Sequence, residues 1–187
     1  RGGVSINNNN DDEPLYITTL DSLSGVKGAG NINLRTSGDM ILENLVESTG
    51  ADVTLTSQNG AIVDSNKRGL NVYADNLNAY AEDNIELDTE VNDVSTDITG
   101  SGKITLREQD DVTLTNLTTD SGTINVDAGG PMTVTDVSSN SGLIDLNADS
   151  MTVSTIDTND DVTLTANTGA IDDDDDNTAC SVRWLDC

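Results

Sequence analysis

Histidine and phenylalanine are absent from this 187-residue chain, and its aromatic residues are one Trp and three Tyr. Without His there can be no Ser/His/Asp triad, no Cys/His dyad and no His-ligated metal. Basic residues are scarce: five Arg and three Lys stand against 34 Asp and Glu, for a formal charge of −26. A surface this acidic repels phosphate backbones and anionic lipid headgroups, which weighs against nucleic-acid binding and a membrane-surface role. No apolar run nears the roughly 18 residues of a membrane-spanning helix, so no membrane insertion is expected. Cysteine occurs only as Cys180 and Cys187. An oxidising compartment would join them as a disulfide closing a small loop; a reducing one would leave two thiols. Residue 1 is Arg, which reads as a mature form or as a piece of a longer protein.

Low hydrophobicity with high charge is ordinarily the composition of a disordered chain. Periodicity overturns that expectation here. Ile104 and Leu106 are followed by Val112, Leu114 and Leu117; Ile124 and Val126 by Met132, Val134 and Val137; Ile144 and Leu146 by Met151, Val153 and Ile156. Gly102, Gly122 and Gly142 each precede the Ile by two residues, at a spacing of twenty. Apolar–polar alternation at period two puts the apolar set on one face of a strand. A repeat near twenty residues marks a solenoid whose coils are stable only when stacked.

The same pattern runs less regularly elsewhere. Leu15, Ile17 and Leu20, and again Met40, Leu42 and Leu45, match Met132, Val134 and Val137. Residues 52–62 recur at 161–171 with eight of eleven positions identical. Pro14 and Pro131 both stand where a strand would begin, a position that tolerates a missing N–H. The expected fold is all-β: a parallel β-helix of about eight coils, forming a rod of roughly 40 Å. A β-sandwich of short strands is the competing arrangement. Mid-sized aliphatics suit a narrow coil interior, which accounts for the missing Phe, and outward Thr, Asn and Asp can form ladders along the stack. The expected division is a polar arm over 1–14, the β-helix over 15–171, and an acidic turn with a Cys-paired cap over 172–187.

The stretches Asp161–Ile171, Leu87–Val94 and Gly100–Glu108 resemble the repeat tracts of filamentous-haemagglutinin-like bacterial surface proteins. The likeness covers roughly residues 28–171. It implies a right-handed helix, a location outside the cell, and adhesion or matrix-building as the role.

Several residue groups stand out as candidate sites. The run Asp172, Asp173, Asp174, Asp175 and Asp176 reads as an exposed turn leaving the last strand, where Ca²⁺ could relieve carboxylate repulsion. Asp157, Asn159, Asp160 and Asp161 form a second such cluster. Neither has EF-hand or RTX spacing, so a solvated acidic loop is the competing reading. Thr113/Thr115, Thr133/Thr135 and Thr152/Ser154 should line one outer face, an arrangement that resembles ice-binding arrays and is also ordinary strand composition. Asn116–Thr118 fits an N-glycosylation pattern that chance supplies in such a sequence. Val4 and Ile6 are the apolar residues of the N-terminal arm, which is either a flexible lead-in or a strand donated to the open end of a neighbour. The expectation is an extracellular structural protein without enzymatic activity or a required cofactor. It would self-associate head to tail as a fibre subunit, or serve as an adhesin segment that meets a host or matrix surface. The alternative of another class is a carbohydrate-active β-helix, of polysaccharide lyase or glycoside hydrolase type.

Overall fold

In-out-in alternation becomes strand after strand: Ile32–Thr36, Val53–Ser57, Ile104–Glu108 and Ile144–Ala148 each bury their first, third and fifth residues. The structure is a computed structural model that describes residues 2–10, 13–67 and 69–173. It is an all-β parallel solenoid of about seven turns. Among the described residues one face stacks nine strands: Val4–Asn8, Ile32–Thr36, Val53–Ser57, Asn76–Ala81, Asp93–Ile98, Val112–Thr119, Met132–Ser139, Met151–Thr158 and Ile171–Asp173. The second face runs from Leu15–Ile17 through Met40–Leu42, Ile62–Asp64, Ile85–Glu90, Ile104–Glu108, Ile124–Ala128 and Ile144–Ala148 to Val162–Ala166. A short third row, Val26–Gly28, Val46–Ser48 and Val72–Tyr73, ends on Thr89 and Glu90.

Register puts like residues above one another. One inward column reads Leu15, Met40, Ile62, Ile85, Ile104, Ile124, Ile144 and Val162. The opposite face supplies Ile32, Val53, Leu77, Val94, Leu114, Val134 and Val153. Most of these side chains are fully shielded from water, each contributing about 2 kcal/mol of hydrophobic stabilisation. Among the described residues this core contains no aromatic side chain. Pro14 and Pro131 directly precede the strands Leu15–Ile17 and Met132–Ser139, as expected.

From Leu114 onward partner residues stay 18–20 apart, whereas the earlier coils vary more widely. Partner residues are 28 apart from Val4 to Ile32, 24 from Val53 to Leu77 and 17 from Leu77 to Val94. In the regular half, Val112–Thr119, Met132–Ser139 and Met151–Thr158 each have eight residues and two consecutive outward positions, such as Thr115 and Asn116. Register against the coil above shifts between Val94 and Ser95, a bulge that bends the strand.

Three sequence expectations are corrected. The stack begins at Val4–Asn8, not at residue 15: Val4 and Ile6 face inward over Ile32 and Leu34 and pack against this chain's own core. Asp172 and Asp173 lie in the strand Ile171–Asp173, paired with Thr152 and Val153, rather than in a turn. Leu20, expected to point inward, sits in an antiparallel hairpin, Thr19–Leu20 against Leu23–Ser24, and is 74% exposed. That hairpin occupies a corner of the first coil, where an extra loop bulges out of the stack.

The glycine column owes its spacing to a crowded corner. A Cβ on Gly122 would overlap the carbonyl oxygen of Gly102, and one on Gly142 would overlap that of Gly122. Beside it runs a hydroxyl ladder. Thr119 Oγ1 donates to Gly102 O (2.7 Å), Ser139 Oγ to Gly122 O (2.9 Å), and Thr158 Oγ1 to Gly142 O (2.8 Å). Gly122→Ala should therefore lower stability in urea by about 3 kcal/mol; a loss below 0.5 kcal/mol, roughly the scale of a neutral surface change, would contradict this packing. Thr96, between Ala79 and Leu117, is buried with no hydrogen-bond partner for its hydroxyl among the described residues. Thr96→Val should raise the urea midpoint, by about 1 kcal/mol in stability, because it removes a buried unsatisfied group at nearly constant shape.

Candidate functional site

The largest charged constellation forms where the long coil meets the short one. Arg107 is an outward residue of Ile104–Glu108, in register with Asp88 one coil above. Its Nε donates to Asp88 Oδ1, while Nη2 lies 3.4 Å from Asp64 Oδ2 and 3.6 Å from Glu86 Oε1. One guanidinium thus spans three successive coils. The Asp64 side chain is only 4% exposed, and its Oδ1 also accepts the Asn66 N–H (2.8 Å) and Asn71 Nδ2 (3.1 Å). Asn71 is itself buried, and its Oδ1 accepts the N–H of Asp88 (2.7 Å).

The loop after Asp64 forms the wall of an open groove of about 800 Å³, with Ser65, Lys67 and Glu86 completing the lining. Lys67 has φ 75°, a left-handed conformation that costs a non-Gly residue about 1 kcal/mol. Partial burial opposes the charge of Arg107, but Asp88, Glu86 and Asp64 more than offset it, and its pKa is raised. Three carboxylates converge here, the arrangement a carbohydrate-active site would need. All three are already paired with Arg107, and Asp64 also accepts from Asn66 and Asn71. Tyr16, Tyr73 and Tyr80 do not line the groove. The chemistry on display is charge neutralisation between coils.

Glu108 points the other way, into the coil. Its column descends Val26, Val46, Val72, Thr89, Glu108, Ala128, a sequence of sizes that follows the ending of the third row. Where another strand would have supplied carbonyls, the Glu108 carboxylate does so. Oε1 accepts the N–H groups of Val91 (3.2 Å) and Gln109 (2.9 Å), and Oε2 accepts the Thr89 hydroxyl (2.7 Å). Burial pushes this carboxyl up to about 7; the three hydrogen bonds pull it down and Asp110 adds to the rise. Nothing in the charge count pointed to it. The signal that could have is an acidic residue at an inward position of Ile104-Thr-Leu106-Arg-Glu108.

The two acidic clusters considered for calcium lie at separate places on the last coils. Asp172 stands beside Thr152, and Asp157 lies five residues further along the same strand, a span of about 16 Å. Asn159 Nδ2 donates to Asn140 O (2.7 Å), and the Asp161 N–H donates to Asp160 Oδ1 (2.8 Å). Among the described residues, no group of three or more acidic side chains could hold a metal ion. Asp174, Asp175, Asp176, Cys180 and Cys187 lie outside the described residues, so the calcium run is only partly placed and the disulfide is not placed at all. The expected ladders do form: Thr113, Thr133 and Thr152 are in register, and Asn167 donates to Asn147, which donates to Asp127.

Glu108 makes stability depend on pH. A carboxyl that titrates near 7 when folded, against 4.5 ordinarily, favours the folded state in full below about pH 4.5 and loses that contribution as pH rises through 7. Glu108→Gln should flatten the fall in stability between pH 4.5 and 8 measured by urea unfolding. Equal slopes for the two proteins would show that Glu108 is not the group responsible.

No family model, no curated protein and no solved structure matches this chain.

Proposed function

We propose that the chain is a structural rod of a cell-surface fibre or adhesin outside the cell, joined end to end through the open edges of its solenoid. The observation that carries this reading is where exposed aliphatics occur. Among the described residues the large exposed aliphatic side chains are Leu20 (74%), Leu23 (75%) and Ile171 (44%). The two leucines belong to the first coil and Ile171 to the last strand, while the long sides carry polar ladders. Val162 and Leu164, on the last second-face strand, are likewise only half-buried.

Backbone edges support the same reading. Within the described residues Val4–Asn8 pairs on one side only, with Ile32–Thr36, and Ile171–Asp173 pairs only with Met151–Thr158. Both strands are parallel members of one face, so translation along the axis would continue the sheet without reversing it. Such a contact is heterologous and does not close, which yields filaments. A second copy and further coils of the same protein would meet this edge with identical chemistry. The likeness to filamentous-haemagglutinin-like proteins favours a location outside the cell. A carbohydrate-active role has weaker support, because the carboxylates of the charged groove are engaged by Arg107.

Net charge sets the conditions for assembly. Copies carrying −26 repel one another until salt or divalent cations screen them, and the screening length falls to about 10 Å at 0.1 M salt. Sedimentation and negative-stain imaging should show single rods at 10 mM salt and longer filaments at 150 mM salt or with millimolar Ca²⁺ or Mg²⁺. Leu20→Ser with Leu23→Ser, and separately Ile171→Ser, should each shorten the filaments. Rods that stay single under all these conditions, or filaments indifferent to both variants, would refute the end-to-end reading.

A further inference from the structure

We propose a lateral binding trough for a linear polysaccharide of amine-bearing sugars, set along one edge of the first face and independent of the stacking at the ends. One wall is a straight outward row, Asp97, Thr118, Ser138 and Asp157, in register on four consecutive coils. The turns that follow these strands supply the opposite wall with Asp120, Asn140 and Asn159. Between the walls lies a volume of about 370 Å³, within the range of small-molecule and cofactor sites. Its floor includes Thr119, Ser139 and Thr158, whose hydroxyls are committed to the glycine column, so the trough rests on a rigid, satisfied base.

Charge selects the ligand class. The lining holds three carboxylates and no Lys or Arg. Asp97 accepts the Thr118 hydroxyl (2.6 Å); among the described residues the carboxylates of Asp120 and Asp157 take no hydrogen bond and no ion pair. Two open carboxylates beside hydroxyl and amide groups suit a ligand that brings both ammonium and hydroxyl donors. An acidic polysaccharide would be repelled by the same groups.

Tyr80 adds a surface of a different kind. It is 41% exposed and stands one rung above Asp97 in the same outward row. An aromatic face at the head of an anionic trough can stack on a sugar ring and attract an ammonium group. From Tyr80 to Asp157 the row covers four rungs, about 19 Å at the strand spacing. An extended glycan lying parallel to the rod axis would meet a pair of polar groups on each of three successive rungs, Thr118/Asp120, Ser138/Asn140 and Asp157/Asn159, and a compact ligand would meet only one.

Calorimetry with the glucosamine hexasaccharide, cellohexaose and an oligogalacturonate, on the full chain at 50 mM salt, tests this. The amine-bearing hexamer should bind, the uncharged hexamer should bind at least about tenfold more weakly, and the acidic oligomer should not bind. Tyr80→Ala and Asp157→Asn should each weaken the hexamer by about fivefold. Asp172→Asn with Asp173→Asn removes charge elsewhere and should leave affinity unchanged, separating the trough from general attraction to an acidic protein. Circular dichroism establishes that each variant is folded. Absence of binding, equal binding of cellohexaose, or a loss in the Asp172/Asp173 variant matching that of Asp157→Asn would overturn the proposal.

Discussion

Parallel stacking at a single strand spacing, about 4.8 Å per coil, is the constraint on which the rest of this molecule depends. Each strand residue sits directly beneath its counterpart one coil earlier, so most inward positions inherit the apolar character of the one above. This is why the interior is built from Ile, Val, Leu and Met columns, and why the ring systems of the three Tyr are found outside. It also explains the glycine column. At that corner successive backbones approach so closely that the carbonyl of Gly102 occupies the space a Cβ of Gly122 would need. Neighbouring hydroxyls then bond the carbonyls thus brought within reach.

Departures from the period concentrate the polar chemistry. A coil of 24 residues followed by one of 17 leaves a loop outside the stack and ends the third row of strands. Both changes orphan backbone or carboxylate groups near the interior, and the structure meets each with a side chain. Buried Asn71 and outward Arg107 satisfy Asp64 and Asp88, while Glu108 stands in for a missing strand on the inside. The most perturbed ionisable group in the described chain is thus where the coil changes shape, and its cause is burial without another strand.

Legibility in the sequence varied along the chain for physical reasons. The coils from Ile104 onward could be read residue by residue, because strict spacing and alternation leave one register that buries every apolar group. Leu20 and Asp172 could not. Leu20 follows the same local spacing as Val137, yet an inserted hairpin carries it outward, and local pattern does not encode where a loop leaves the stack. Asp172 reads as a turn because it follows the recurring segment 161–171, in the place of Val63 to Asn66 in the earlier copy. Pairing with Met151–Thr158 made it a strand. Most instructive are the near-identical segments 52–62 and 161–171. Val53–Ser57 lies on the first face and Val162–Ala166 on the second, so the same residues serve both sides of the rod. Both faces require the same in-out alternation, and a half-coil shift costs nothing locally.

Alternation and repeat length alone therefore specify an all-β stacked solenoid with a slim aliphatic core, an acidic exterior and no place for His-dependent chemistry. These are properties of each twenty-residue unit, and a unit carries its own pattern. Which groups share a site is a different matter. Arg107 reaching Asp64, Glu108 closing the third row, Tyr80 aligned above Asp97, and aliphatics exposed at the two extremities all join residues at least 17 positions apart. Such neighbours are set by the cumulative lengths of the intervening coils, and no local pattern records that sum.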